Sequence, residues 1–279
     1  MVLSTNVLFG VQSVYKKEKG LTGMYYDYAM AAPFMAGVEE KMVAGEDFSL
    51  LVLGMGTGTY GSQCARYYPG MRVEGVEIDG KITDLAHRYF SLPDDMTVTT
   101  YDGRAFLNAV KDRYDVIMVD AYQDITIPFQ MSSVEFFTQV RDHLKEDGVM
   151  VVNMNMRGER EGNINQYLSD TISAVFSDVW TVDVLFNTNR ELFAANHPEA
   201  LSVMERNAAR CADAELQEMI ALVSRGLARY EAGGYLMTDD RAPVELLGMQ
   251  VVDELIREEV SGYKQIYEKD GIRGIIGSL

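Results

Sequence analysis

Three uninterrupted apolar runs constrain this chain more than anything else in it: FSLLVLG at 48–54, YDVIMVD at 114–120 and GVMVVNM at 148–154. A strand with one wet face alternates apolar and polar residues. Runs continuous in Val, Leu, Ile and Met belong instead to parallel strands covered on both faces. Four more strand-like runs complete the series: RVEGVEI (72–78), MTVTTY (96–101), VWTVDVLF (179–186) and RELFAAN (190–196). Amphipathic segments such as KITDLAHRYF and VEFFTQVRDHLKEDG lie between them, the second closing on a glycine in the manner of a helix C-terminus. Only NTN separates the last two runs, which predicts an antiparallel hairpin. The pattern predicts an α/β fold built on a doubly wound, mostly parallel seven-stranded sheet, with a short N-terminal β/α segment and C-terminal helices.

The chain divides accordingly. Residues 1–47 hold a β-like start, VLSTNVLFGVQSVYKK, then GMYYDYAMAAPFMAG, which reads as helical as far as Pro33, and this segment is expected to contribute to the site. Residues 48–198 form the Rossmann-like domain, and 199–279 a helical extension packed on it, with helical stretches at 199–232 and 250–269. No apolar stretch is long enough to span a bilayer, and the start lacks a basic region ahead of an apolar core, so no signal peptide is expected. Cys64 and Cys211 match no metal or redox spacing and are expected as reduced thiols of a cytoplasmic protein. A formal net charge of −17 argues against nucleic acid and anionic membranes and suits a cationic substrate, besides favouring solubility.

In a parallel sheet, ligands lie beyond the carboxyl ends of the strands. The first strand leads into GMGTGTYG and a helix, and the glycines Gly54, Gly56 and Gly58 let backbone approach a ligand or simply make a tight turn. The second strand ends in VEID, placing Glu77 and Asp79 where an acid accepts from both ribose hydroxyls. The third ends in YDGR, so Asp102 and Gly103 either meet an exocyclic amine or form an Asp-Gly turn. The fourth ends in VDAYQD, and Asp120 there is suited to take a proton from a nucleophile. His87, His143 and His197 have no metal-site spacing, Ser132 and Ser133 read as a helix N-cap, and RGEREG at 157–162 reads as a solvated loop.

This series of glycine loop, acid, Asp-Gly and Asp resembles the S-adenosylmethionine-binding methyltransferase fold. More narrowly, the chain resembles the spermidine synthase (polyamine aminopropyltransferase) family, whose members carry GGGDGG, VEID, GDG and DSTDP at these strand ends and a GxxQ…YHE segment before them. Here those stretches read GMGTGT, VEID, YDG, DAYQD, and GVQS followed by Tyr25-Tyr26-Asp27. The resemblance implies Gln12 and Tyr25 lining the site, Glu77 at the ribose, Asp102 at adenine and Asp120 as the base that deprotonates an amine. It also implies Tyr26, Asp27, Tyr122, Gln123 and Asp124 on the acceptor side, with S-adenosylmethionine or its decarboxylated form as co-substrate and no metal. A homodimer is a further expectation of the resemblance. TDDRAPVE at 238–245 is similar to a late segment of spermidine-synthase-like proteins, some fused to membrane domains, and the chain itself is expected to make no membrane contact.

Thr57 departs from the pattern, standing where the synthases keep the loop aspartate that meets the donor's aminopropyl ammonium. The leading expectation is therefore alkyl transfer of aminopropyl type to a small cationic amine, with Asp120 as general base. Two alternatives stand beside it: a small-molecule methyltransferase, which Thr57 favours, and a non-catalytic nucleoside-sensing domain.

Overall fold

The computed structural model describes residues 1–4, 11–18, 20–122, 127–155 and 160–278. In chain order, β1 (Val2–Leu3) and β2 (Ser13–Val14) form a small antiparallel pair, and three short helices follow: α1 (Tyr25–Ala29), α2 (Ala31–Met35) and α3 (Val38–Ala44). Strand and helix then alternate through β3 (Ser49–Leu53), α4 (Thr59–Tyr67), β4 (Arg72–Glu77), α5 (Gly80–Tyr89), β5 (Thr97–Thr100), α6 (Gly103–Ala109) and β6 (Tyr114–Val119). After these come α7 (Val134–Asp142), β7 (Leu144–Met154), α8 (Ile164–Ser173), β8 (Asp178–Asp183) and β9 (Arg190–Ala195). The remaining elements are α9 (Ala200–Arg210), α10 (Ala214–Gly226), β10 (Ala228–Arg229) and α11 (Val244–Ser278), the last interrupted at Gly271.

The sheet order is β10-β8-β9-β7-β6-β3-β4-β5. From β7 to β5 every pairing is parallel, while β9 lies antiparallel between β7 and β8, completing the expected hairpin. The expected seven strands are joined by an eighth, β10, whose two residues leave no periodicity in the sequence. Both β3 and β6 are buried along their whole length, as their unbroken apolar runs require. One face of the sheet packs on α1, α2, α4, α9 and α10, the other on α6, α7, α8 and the start of α11. At the amino-terminal end of the sheet, buried Asp115 accepts from Lys41 at 2.6 Å, Lys145 at 2.7 Å and the Ser49 amide at 2.7 Å. Burial opposes its ionisation, but the two ammoniums outweigh that and hold it below the usual carboxylate range. Among the described residues, no helix is long and apolar enough to cross a membrane.

Local differences from the expected elements have simple causes. Pro33 does not end a helix; it lies within the first turn of α2, where no intrahelical amide is needed, and the chain breaks earlier, at Met30. Gly148 does not cap α7, which ends at Asp142. It lies inside β7 beside the register shift between Tyr114 and Val116, where an added Cβ would stand 3.0 Å from the Tyr114 carbonyl oxygen.

Chain order reverses around β3, whose neighbours are β4 on one side and β6 on the other. That switch point opens a crevice at the carboxyl ends. Its closeness depends on Gly54, which has φ 90°, and where a Cβ would stand 2.4 Å from the carbonyl oxygen of Asp120. We therefore expect Gly54→Ala to lower stability by about 2–4 kcal/mol, from left-handed strain plus overpacking. Gly234→Ala, with nothing within 4 Å of the added carbon, serves as the control. Urea denaturation midpoints measure both, and equal midpoints would contradict this account of the switch point.

Candidate active site

The switch-point crevice holds about 720 Å³. Gly54, Met55 and Gly56 form its floor, with Glu77 and Asp79 after β4, Asp102 and Gly103 after β5, and Asp120 and Tyr122 after β6. Gln12, Ser13, Tyr25 and Tyr26 enter from the N-terminal segment, while Asn153 and Asn189 close the side towards β7 and β9. Strand β2 is stitched to the glycine loop: the Val14 amide donates to Thr59 Oγ1 at 2.9 Å, and the Thr57 amide donates to Ser13 Oγ at 3.2 Å.

Glu77 is buried, and its two oxygens tie the strand ends together. Oε2 accepts from the Gly56 amide at 2.8 Å and Oε1 from the Asp79 amide at 3.0 Å. Lone pairs beyond those two bonds give the carboxylate capacity for a ligand's hydroxyls. Asp79 and Asp102 also do structural work, capping α5 and α6 by accepting from the Lys81 and Ala105 amides, each at 2.8 Å. The turn reading and the crevice reading of Asp102 therefore hold together.

Asp120 stands at the centre of the cluster. Tyr25 donates to its Oδ2 at 2.6 Å, Asn153 donates to its Oδ1 at 2.8 Å, and Asn189 in turn donates to Asn153 Oδ1 at 2.7 Å. Burial pushes the Asp120 carboxyl up to about 7, aided by the charge of Glu77 and opposed by the two hydrogen bonds. The Tyr25 and Tyr26 rings lie 4.0 Å apart, and Tyr26 donates to the Gln12 carbonyl at 2.6 Å. Burial first, then the charge of Asp120, raises both phenols, so neither is itself a base at neutral pH. Tyr122 donates to the Asn153 carbonyl and accepts from the Asn155 amide at 2.9 Å, which fixes the chain after β6 against β7.

Three expected residues stand elsewhere. Gly56 and Gly58, at φ 55° and 85°, turn the chain so that Thr57 points to the far side of the loop, into a separate 330 Å³ cavity that Gly58 also lines. There the Thr57 hydroxyl is buried and has no partner among the described residues. Asp27 does not reach the crevice either. Its carboxylate accepts from the Thr22 amide and hydroxyl at 2.8 and 2.7 Å, Gly23 at 2.6 Å and Gln63 at 2.9 Å, which fixes the entry into α1. Gln123 and Asp124 lie outside the described residues, as does the first half of the loop expected at 157–162. Ser133 caps α7 through the Phe136 amide, as its spacing predicts. No three His, Cys, Asp or Glu among the described residues could hold a metal ion.

Sequence reasoning missed Asn153, Asn189 and Glu191. Each left a trace: an amide ending the apolar run GVMVVNM, the NTN of the hairpin, and a charge inside RELFAAN.

The fold and its crevice define a class: the Rossmann-like methyltransferase architecture with a nucleoside-sized cleft at the switch point. Within that class, residues 38–189 match the family model for the spermine/spermidine synthase domain, and the chain belongs to that family. A Bifidobacterium longum protein named "Probable polyamine aminopropyl transferase" is 52% identical along all of this chain, which spans 64% of that relative's length. Human methyltransferase-like protein 13, solved in complex with SAH, superposes with a TM-score of 0.58 at 21% identity, covering 77% of this chain and 98% of that one. Spermidine synthase from Thermotoga maritima superposes with a TM-score of 0.58 at 18% identity, covering 72% of this chain and 70% of that one.

The Tyr25 hydrogen bond favours ionised Asp120, so its loss must raise the carboxyl's proton affinity. In Tyr25→Phe, carboxyl ¹³C titration is expected to move the Asp120 midpoint above about 7. An unchanged or lower midpoint would contradict the geometry.

Proposed function

We propose that this site transfers an alkyl group, of the aminopropyl type, from decarboxylated S-adenosylmethionine to a small amine, with Asp120 as general base. The observation that carries the reading is the junction of Asp120, held near neutral proton affinity, with Glu77 in one cavity. The relative that matches the whole chain is named as a probable polyamine aminopropyl transferase, which supports the group transferred.

The mechanism follows from the residues. Glu77 takes the ribose hydroxyls, Asp79 extends the polar edge, and Asp102 faces the adenine. The sulfonium carbon is thereby aimed at Asp120 and the two tyrosine rings, whose faces favour a cation. An amine arrives as ammonium and must lose a proton before it can attack. A carboxylate near 7 accepts that proton more readily than one near its ordinary value of about 4. The amine nitrogen then forms the new C–N bond in line as the C–S bond breaks. The bonding pair goes to sulfur, leaving a neutral thioether, methylthioadenosine, and Asp120 returns its proton to solvent. Alignment and proton removal carry most of the barrier reduction. Free Cys64 and Cys211 suit the reducing cytoplasm in which we place the reaction.

Methyl transfer from S-adenosylmethionine is the second reading. It is favoured because the glycine loop turns no carboxylate into the crevice to pair with a donor ammonium, position 57 facing the other cavity.

Calorimetry with decarboxylated S-adenosylmethionine, S-adenosylmethionine and methylthioadenosine separates the two. Preference for the decarboxylated donor supports aminopropyl transfer, preference for S-adenosylmethionine supports methyl transfer, and binding of none of them overturns both. Asp120→Asn should lower turnover by about 10²–10⁴-fold, the usual worth of a general base, with methylthioadenosine binding nearly unchanged. Glu77→Ala should weaken that binding, and an unchanged dissociation constant would remove its ribose role.

A further inference from the structure

Glu191 is a carboxylic acid in a place where acids are rarely left. It lies on β9, paired across the sheet with Asn153 of β7 and Val182 of β8. By the alternation of a strand it shares a face with Phe193 and Ala195, in the core beneath α1 and α2. Its exposure is 0%, and neither carboxyl oxygen has a hydrogen-bond partner among the described residues. Neighbouring Arg190 is engaged by Asp183 at 2.6 Å and leaves it unneutralised. Buried polar groups without partners are few in native structures, and each asks for a reason.

The surroundings supply one. Among the described residues, the groups interacting with Glu191 are the Asp120 carboxyl and the phenols of Tyr26, Tyr60 and Tyr122, and no cation is among them. Asn153, its partner in the ladder, is the residue that donates to Asp120. Burial first and the Asp120 charge second disfavour the ionised form, so the acid is neutral while the crevice is empty.

A sulfonium nucleoside in the crevice brings a permanent positive charge beside Asp120 and Asn153, the groups next to Glu191, and opposite charge favours the carboxylate. When Asp120 takes up a proton from an amine, the one negative neighbour of Glu191 also disappears. We propose that Glu191 is the charge-compensating carboxyl of this site, protonated in the empty crevice and ionised when the sulfonium donor binds. This rests on the functional reading given above.

Two measurements on the full chain test it. The first needs no ligand. A carboxyl raised in the folded state contributes stability that is complete below its unfolded value, about 4.3, and lost as pH rises towards its folded value. The melting temperature of Glu191→Gln should therefore gain on wild type steadily between pH 5 and 8. A gap that does not change with pH, or one that moves in wild type's favour as pH rises, overturns the proposal by making Glu191 an ordinary or structural acid.

The second is calorimetry at pH 8.5 in two buffers of different ionisation heat, where Asp120 is already ionised. Decarboxylated S-adenosylmethionine should release more protons from wild type than from Glu191→Gln, because Glu191 is the group that changes state. Neutral methylthioadenosine should show no such difference and should bind both within about twofold, the tolerance of a change that removes no contact. Equal proton release in the two proteins, with both binding the donor, overturns this proposal alone. If wild type binds no nucleoside, the functional reading fails and this proposal fails with it.

Discussion

The site depends on one close contact, between the backbone at Gly54 and the carbonyl of Asp120. Only a residue without a side chain permits it, because any Cβ there would stand 2.4 Å from that oxygen. The contact is held by backbone bonds: the Asp120 amide donates to the Leu53 carbonyl at 2.9 Å, and the Gly54 and Met55 amides both donate to Val76 at 2.9 Å. Three strand ends are thereby drawn into one corner, and Glu77 and Asp120 open into the same cavity. Had the loop stood further out, the two carboxylates would belong to separate surfaces.

That corner concentrates acid. Glu77, Asp79, Asp102 and Asp120 line the crevice, and Glu191 stands behind it. Like charges in low dielectric raise one another's proton affinity: the charge of Glu77 adds to the rise at Asp120, and that of Asp120 to the rise at Glu191. Glu77 binds two amides and Asp120 binds a phenol and an amide, while Glu191 binds nothing among the described residues. Among the described residues that line the crevice there is no Lys or Arg, which suits the cationic donor proposed above. The same reasoning joins the chain's net charge of −17 to its proposed donor and acceptor, both cations.

Much of this was legible beforehand, for physical reasons. Continuous apolar runs mark doubly covered strands, so β3, β6 and β7 stood out, and the residue after each strand end followed directly. Glu77, Asp102 and Asp120 could be placed in the crevice because α/β topology puts strand ends together. Thr57 and Asp27 could not. Their side-chain directions depend on the positive φ values at Gly56 and Gly58 and on a loop that wraps Asp27, neither of which motif spacing encodes. Asn153 and Glu191 became meaningful only through the antiparallel insertion of β9 beside β7, a pairing between segments far apart in the chain.

In the proposed function, one crevice binds a nucleoside at Glu77 and presents its sulfur to Asp120. A crystal structure with methylthioadenosine tests this most directly. The ribose hydroxyls are expected within hydrogen-bond distance of the Glu77 carboxylate, with the thioether facing Asp120 and Tyr25. A nucleoside seated elsewhere, or one with its sulfur turned away from Asp120, would contradict it.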